Sequence, residues 1–383
     1  MNVKSRVLAS TALTGALALA LTACGSDAVK QDETPAANSN TTPAATDTAT
    51  DAPAASGSLA GAGSSAQEAA MGGWIATLSS AAPGLTVSYD PVGSGGGREQ
   101  FLAGGVQFAG SDAALSADEL AAAKDRCFGG EAIELPVYIS PIAVVYNLPS
   151  VKAEHINMSG ETMAKVFNGT IKKWNDPAIA AENEGVELPD IAIIPVNRSD
   201  KSGTTENFTD YLAQASNGAW TDPAGQEWPI AGTQSGAQTQ GMIDTVSGAE
   251  GAIGYADASR AGDLGTVAVK VGDSYVPFSA EAAAKVVDSS PRAEGATDKQ
   301  IAVALDRKTT EAGAYPLVLV SYDIACSVYD TAEDATNVKA FLSYVASAEG
   351  QNVAAAADVA GSAPISDALR AEVQAAIDSI SAK

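Results

Sequence analysis

The sequence of 383 residues is poor in side chains that bind metals and nucleic acids. It has one histidine, His155, and three cysteines, too few for most multi-ligand zinc sites, which need clustered His and Cys. Basic residues number 22 against 46 acidic ones, for a net charge of −24. Binding to a DNA or RNA backbone draws its affinity from Lys and Arg, so no nucleic-acid partner is expected. No run of about 20 apolar residues lies within the body of the chain, so no internal membrane span is expected. Aromatics are only 5% of residues, but apolar residues are 46%, enough for ordinary globular cores. The length suits about two domains of roughly 150 residues each.

The N-terminus reads as an address. Lys4 and Arg6 precede an uncharged, small and apolar run from Val7 to Ala20, the pattern of a secretory signal. Leu21-Thr22-Ala23-Cys24 follows and resembles the bacterial lipobox, in which the cysteine is lipidated and becomes the new N-terminus. Residues 1–23 are then a signal peptide. Its removal takes away Lys4 and Arg6 and deepens the negative charge. Diacylglyceryl attachment at Cys24 supplies more than one acyl chain, which holds a protein stably at a membrane. Residues 24–57 carry that lipid and a tether of Ala, Thr, Pro, Asp, Ser and Asn without an aromatic residue. Such a stretch buries too little surface to offset its chain entropy, and its expected use is reach. Two cysteines remain in the body, Cys127 and Cys326. An even pair in an exported chain points to a disulfide, with two buried free thiols as the alternative.

Strand and helix patterns alternate from residue 58 onward. Strands are expected at Leu85–Tyr89, Val106–Phe108, Val137–Leu148, Ile191–Val196, Ala252–Tyr255, Thr266–Val271 and Pro316–Val320. Helical patterns cover Ala66–Leu78, Ala117–Lys124, Glu161–Asn168, Thr204–Ala215, Thr331–Ala346 and Ile365–Ile380. The alternation predicts an α/β fold with largely parallel sheets. Residues 281–312 are left without an assignment.

Four strand-to-helix turns hold the chemistry. Gly61-Ala62-Gly63-Ser64-Ser65-Ala66 precedes a helix, and Ser65 with Glu68 has capping-box spacing. Val92-Gly93-Ser94-Gly95-Gly96-Gly97-Arg98 and Gly110-Ser111-Asp112 each follow a strand. Asn197-Arg198-Ser199-Asp200-Lys201-Ser202-Gly203-Thr204-Thr205 follows a strand and opens a helix. Ligands of α/β sheets bind outside the carboxyl ends of the strands. Helix starts leave backbone N–H groups free and favour anions. Glycine lets the backbone approach, and Ser or Thr adds a hydroxyl donor. Taken singly, each turn has a bland reading: an N-cap serine, a flexible glycine loop, a surface arginine. The glycine run fits neither the dinucleotide fingerprint nor the P-loop. The four together point to a small oxyanion held by neutral donors and one arginine.

The set resembles the phosphate-binding proteins of the high-affinity phosphate ABC transporter, the PstS family. The matching segments are Gly61–Trp74, Gly93–Gln100, Phe108–Leu115, Phe167–Ile179 with Ile171-Lys172-Lys173-Trp174, Arg198–Leu212 and Gly251–Tyr255. They stand in family order and spacing, and the likeness covers roughly residues 59–383, more weakly after about 260.

The resemblance implies a two-domain periplasmic-binding-protein-like fold of type II, with the ligand cleft between domains and two hinge crossings, near Pro141 and Pro316. The first domain would be residues 58–139 plus 310–383, and the second 140–309. It implies phosphate ligands at Ser65, the Ala66 N–H, Ser94, Asp112, Arg198, Ser202, Gly203 and Thr204. Many relatives have Phe at the position of Ala66. Lys201 replaces a common glycine and would raise the local positive potential, while Asp200 would steady Arg198. An ionised carboxylate only accepts hydrogen bonds, so Asp112 suits an anion that still carries a proton. Phosphate does near neutral pH and sulfate does not. The implied protein is a monomeric, extracytoplasmic lipoprotein that delivers inorganic phosphate to ABC permease subunits, with no cofactor, metal or catalytic residue. The net charge does not forbid this, since exposed carboxylates are screened beyond about 8 Å at physiological salt. The competing readings are a binder of another oxyanion, a scaffold reusing the fold, and a cell-surface phosphatase. No Gly-x-Ser-x-Gly elbow is centred on Ser65, Ser94 or Ser202, which weighs against the last.

Overall fold

A computed structural model describes residues 54–383 of the chain. The signal peptide, Cys24 and most of the tether lie outside the described residues. The end of the expected tether is strand: Ser56 and Gly57 already belong to one. That strand, β1 (Ser56–Gly63), leads into α1 (Glu68–Thr77). Next come β2 (Gly84–Asp90), α2 (Ser94–Leu102), β3 (Phe108–Ser111) and α3 (Ala117–Arg126). The long strand β4 (Ala132–Tyr146) follows, buried along its whole length.

The middle of the chain holds β5 (His155–Met158), α4 (Gly160–Phe167), α5 (Pro177–Glu182), β6 (Ile194–Arg198) and α6 (Gly203–Ala215). It continues with β7 (Gln234–Gly236), α7 (Gln238–Ser247), β8 (Ala252–Asp257), β9 (Gly265–Val271), β10 (Ser274–Val276) and α8 (Ala280–Ser289). After an irregular segment, 290–317, come β11 (Val318–Cys326), β12 (Val328–Tyr329), α9 (Ala332–Ala346), α10 (Ala348–Ala355), α11 (Asp367–Asp378) and β13 (Ser381–Ala382).

The main sheet runs β2-β1-β3-β11-β4-β8-β6-β7, with β9 also paired to β4, and β5 and β10 paired to β9. Its outer parts are parallel, as alternation of strand and helix predicts: β1 with β2 and β3, β6 with β7 and β8. Its centre is not. β11 runs antiparallel to β3 and β4, and β4 antiparallel to β8, so the sheet is mixed rather than largely parallel. β4 belongs to both halves. Its residues up to Pro141 pair with β11, and those from Ile142 pair with β8. Pro136 and Pro141 offer no N–H to a ladder, and the register shifts between Ser321 and Tyr322, opposite Tyr138 and Pro136. The Cys127–Cys326 disulfide closes the end of α3 onto β11 across a separation of 199 residues.

Two glycine segments differ from their sequence reading for steric reasons. Gly61 to Gly63 is strand, not turn: the ring of Phe108 lies so close over Gly61 that a Cβ there would sit 2.2 Å from Cζ. The Gly93 segment is not a loop but the start of α2, because a side chain at Gly97 would meet the backbone of Gly63 at 2.3 Å. Glycine there lets α2 lie directly on β1.

Candidate ligand-binding site

The first turns of α2 and α6 and the residues after β1 and β3 converge. Ser65, Ala66, Ser94, Asp112, Arg198, Ser202 and Thr204 are each less than 5% exposed. Gly203 is buried as well, and hydrogen bonds from Arg198 to Ser65, from Asp112 to Ser94 and from Thr204 to Asp112 tie these turns into one sealed region, where the present partners of the eight expected ligand residues differ in kind.

Ser65 is not the cap of α1, whose N-cap is Gln67 and which has no capping box. Its Oγ is free for tertiary work. It accepts from Arg198 Nη2 at 3.0 Å and from Thr239 N at 3.0 Å, and it lies 3.0 Å from Thr239 Oγ1. The Ala66 N–H donates to Ser64 Oγ at 3.1 Å. Ser94 opens α2, and its Oγ accepts from Asp112 N at 3.1 Å. Ser202 caps α6 by accepting from Thr205 N at 3.1 Å, which leaves its hydroxyl proton to give. Gly203 is held so close to the other half that a Cβ would lie 2.5 Å from Ser94 Oγ.

Arg198 ends β6. Its Nε donates to Asp200 Oδ1 at 2.8 Å and its Nη2 to Asp200 Oδ2 at 2.5 Å, the steadying pair expected from sequence. With Nη2 shared between Asp200 and Ser65, the Nη1 edge is the part of the fork without a protein partner among the described residues. The fork therefore does not offer its bidentate Nε edge to an anion; Asp200 occupies it. Burial acts to raise the Asp200 carboxyl, and the hydrogen bonds and charge of Arg198 outweigh it, holding the group below its ordinary value. Behind Arg198, Tyr255 OH accepts from the Arg198 N–H at 3.3 Å and contacts Thr205 Oγ1 at 2.8 Å. Tyr255 stacks on Phe208 at 4.2 Å, which packs edge-on against Phe167 at 4.7 Å. This apolar backing fixes the end of β6 against α6.

Asp112 follows β3. Its Oδ2 accepts from Thr204 Oγ1 at 3.1 Å. Its Oδ1 is buried without a partner among the described residues, as are four other side-chain atoms: Trp220 Nε1, Trp228 Nε1, Asp257 Oδ2 and Asp323 Oδ2. Asp112 Oδ1 alone of these belongs to a residue bonded to a helix start of the site. Burial pushes the Asp112 carboxyl up from its ordinary value, against the hydroxyls of Ser64, Ser321 and Thr204 and the charge of Arg198. An acceptor buried without a donor costs roughly 1–3 kcal/mol, so this oxygen is suited to a ligand that donates a proton.

Lys201 corrects one expectation. Its Nζ pairs with Glu99 Oε1 at 2.5 Å on half-exposed side chains outside the sealed region, so its charge is spent on an ion pair rather than on the site. Two further site residues escaped the sequence reading, Thr239 and Asn207. Thr239 stands at the start of α7 after β7 and Gly236, the same strand, glycine and hydroxyl order as the other turns, and that order was the available signal. Asn207 sits inside α6 with no motif around it. His155 lies on β5, bonded to Thr266 Oγ1 at 2.8 Å, away from these residues. Among the described residues no cluster of His, Cys, Asp and Glu is placed to hold a metal, and no helix is long and apolar enough to cross a membrane.

The chain matches the PBP superfamily domain over residues 44–349. Phosphate-binding protein PstS 3 of Mycobacterium tuberculosis is 37% identical over 328 residues, covering 84% of this chain and 86% of that one. PstS 2 of the same organism is 35% identical over 325 residues, covering 83% and 86%. Among solved structures, a high-affinity periplasmic phosphate-binding protein bound with phosphate aligns with a TM-score of 0.67 at 22% identity, covering 83% of this chain and 93% of that one. A phosphate-binding protein from Stenotrophomonas maltophilia aligns at 0.66 and 18% identity, covering 84% and 94%. Fold and sequence together define a two-domain binding protein of the periplasmic type. The chain belongs to the PstS family of phosphate-binding proteins.

Proposed function

We propose that the protein captures inorganic phosphate between its two halves and hands it to the permease of an ABC importer. The observation that carries this reading is Asp112: a buried carboxylate with one oxygen unpartnered, beside an arginine and two helix starts. An anion that keeps a proton can donate to that oxygen, while its other oxygens accept from Arg198 Nη1, the Ser94 and Ser202 hydroxyls and the N–H groups that open α2 and α6, that of Thr204 among them; the Thr204 hydroxyl proton stays on Asp112 Oδ2. The Ala66 N–H joins them by leaving Ser64. Sulfate carries no proton and would set acceptor against acceptor. A site that leaves buried polar groups unpaired can reject an analogue by about 10⁴-fold or more.

The two lobes of this reading are residues 58–139 plus 310–383, and 140–309. The change of partner along β4 at Pro141 and the bond from Ile142 N to Leu317 O, 2.8 Å, support crossings near Pro141 and Pro316. Hinge closure would bury the ligand and report occupancy to the permease. The protein acts as a monomeric binder rather than an enzyme, held outside the cell membrane by the lipid on Cys24.

Isothermal titration of the unlipidated, ligand-stripped protein tests the reading. One-to-one phosphate binding without sulfate heat is expected, together with a narrowed phosphate-to-sulfate ratio in Asp112→Asn. Binding of neither anion by the folded protein sinks it, and phosphomonoesterase turnover would replace it with the enzyme reading.

A further inference from the structure

Beside the expected ligand residues runs a row of polar groups that phosphate capture leaves unused. Arg307 comes from the irregular segment before β11 and is 2% exposed. Its Nη1 donates to Pro316 O at 3.0 Å and to Val318 O at 2.7 Å. Its Nε donates to Asp210 Oδ2 at 2.9 Å and its Nη2 to Asn207 Oδ1 at 2.5 Å. Arg307 thereby binds the entrance of β11 to helix α6. It also orients Asn207. A guanidinium has only donors, so the amide oxygen must face it and the amide nitrogen must face away. On that far side Asn207 Nδ2 donates to Asp112 O at 2.7 Å and to Gly203 O at 2.9 Å.

Asp112 follows β3 in one half of the sheet, and Asn207 belongs to α6 in the other. The Asn207–Asp112 bond therefore crosses between halves without any ligand atom, at the main chain of the residue whose carboxylate faces the site. We propose that Asn207, oriented by Arg307, is a positioning residue that clamps the Asp112 backbone across the cleft and sets how slowly a captured anion leaves. This rests on the phosphate-capture reading above. A bond present only when the halves meet stabilises the closed state and not the open one. Its loss speeds release and leaves encounter nearly unchanged, as most interface changes do.

Asn207→Asp is the informative variant. It still accepts from Arg307, loses the donor, and sets a carboxylate oxygen against Asp112 O. Stopped-flow association and release of inorganic phosphate on the full unlipidated chain read the effect. Release should quicken about 10- to 100-fold, the range for stranding buried partners of a hydrogen bond. Association should stay within about threefold, and the melting temperature of the ligand-free protein should barely move. Asn207→Ala, which adds no charge, should change release in the same direction, and Arg307→Lys should do so more weakly. Wild-type release rates in a folded Asn207→Asp or Asn207→Ala protein overturn the clamp. So does a lowered melting temperature with unchanged release from the folded fraction, which would mark Asn207 as merely structural. If the unaltered chain itself binds no phosphate, the capture reading falls and the clamp falls with it.

Discussion

Ser65 offers one oxygen to two donors from the opposite half, Arg198 Nη2 and the Thr239 N–H. Replacing it with alanine strands both in a dry region, where each unmade bond costs roughly 1–3 kcal/mol. Ser65→Ala should weaken phosphate binding by about 10- to 1,000-fold in titration calorimetry, while Ser65→Thr, which keeps the oxygen, should hold within about tenfold. Equal affinity in wild type and Ser65→Ala would mean that Arg198 and Thr239 do not need this partner. Residues of this kind were legible in the sequence because they sit at strand-to-helix turns, where chain geometry alone exposes donors. Asn207 was not legible. Its importance comes from Asp112, 95 positions away, and from an arginine 100 positions further on. Nothing local marks a helical asparagine as anything but a poor helix former. Gln238 was equally silent: it holds φ of +60°, a conformation usually marked by glycine, and its N–H reaches Asp200 Oδ1 at 2.9 Å.

Helix α6 is the element on which the site turns. Its first residue, Gly203, has no φ reason to be glycine; the reason is contact, since a Cβ would meet Ser94 Oγ at 2.5 Å and Asp112 Cβ at 2.8 Å. Both belong to the other half of the sheet. Gly203→Ala should leave the open protein as stable as wild type or slightly more so, since alanine favours helix over glycine by up to about 1 kcal/mol. It should also prevent full approach of the halves and cut phosphate affinity by about 100-fold or more. Unchanged affinity with unchanged melting temperature would show that the halves need not meet at Gly203. The elements themselves are most legible where their apolar spacing is regular, as in β2 and α9. β11 was legible only at its start. Its later residues include Ser321 and Asp323, which break an apolar run yet are fully buried; Asp323 Oδ1 accepts from Gln67 Nε2 at 3.0 Å. β1 gave almost no strand signal because Ser, Gly and Ala dominate it. It forms because β2 and β3 pair with it on both sides and Phe108 covers it, tertiary contact overriding propensity.

Across the whole molecule the acidic excess reaches inward. Burial raises the Asp257 carboxyl to about 6, and those of Asp323 and Glu134 to about 7. In an unfolded chain these groups titrate near 4. Between about pH 4 and 7 the native state therefore keeps protons that the unfolded chain has released, and stability falls as pH rises through that window. Asp200 and Glu119 act oppositely: their folded values are lowered, so their contribution is present above the ordinary carboxylate range and is lost only in stronger acid. The ligand-free protein should thus melt highest at about pH 4 and lower at pH 8. Mutual repulsion within a chain of net charge −24 would produce the same downward trend, so the trend alone does not identify the buried groups. Asp323→Asn separates them. The amide oxygen can still accept from Gln67, while the group that must lose a proton is gone. Surface repulsion would lower the wild-type and variant curves nearly in parallel. A buried titration makes them coincide at about pH 4 and below and diverge up to about pH 7, with the variant more stable by about 1.4 kcal/mol for each unit of displacement removed. Melting curves at half-unit steps, on protein freed of phosphate, decide between the two, and parallel curves would mean that Asp323 is ionised in the folded protein at no cost.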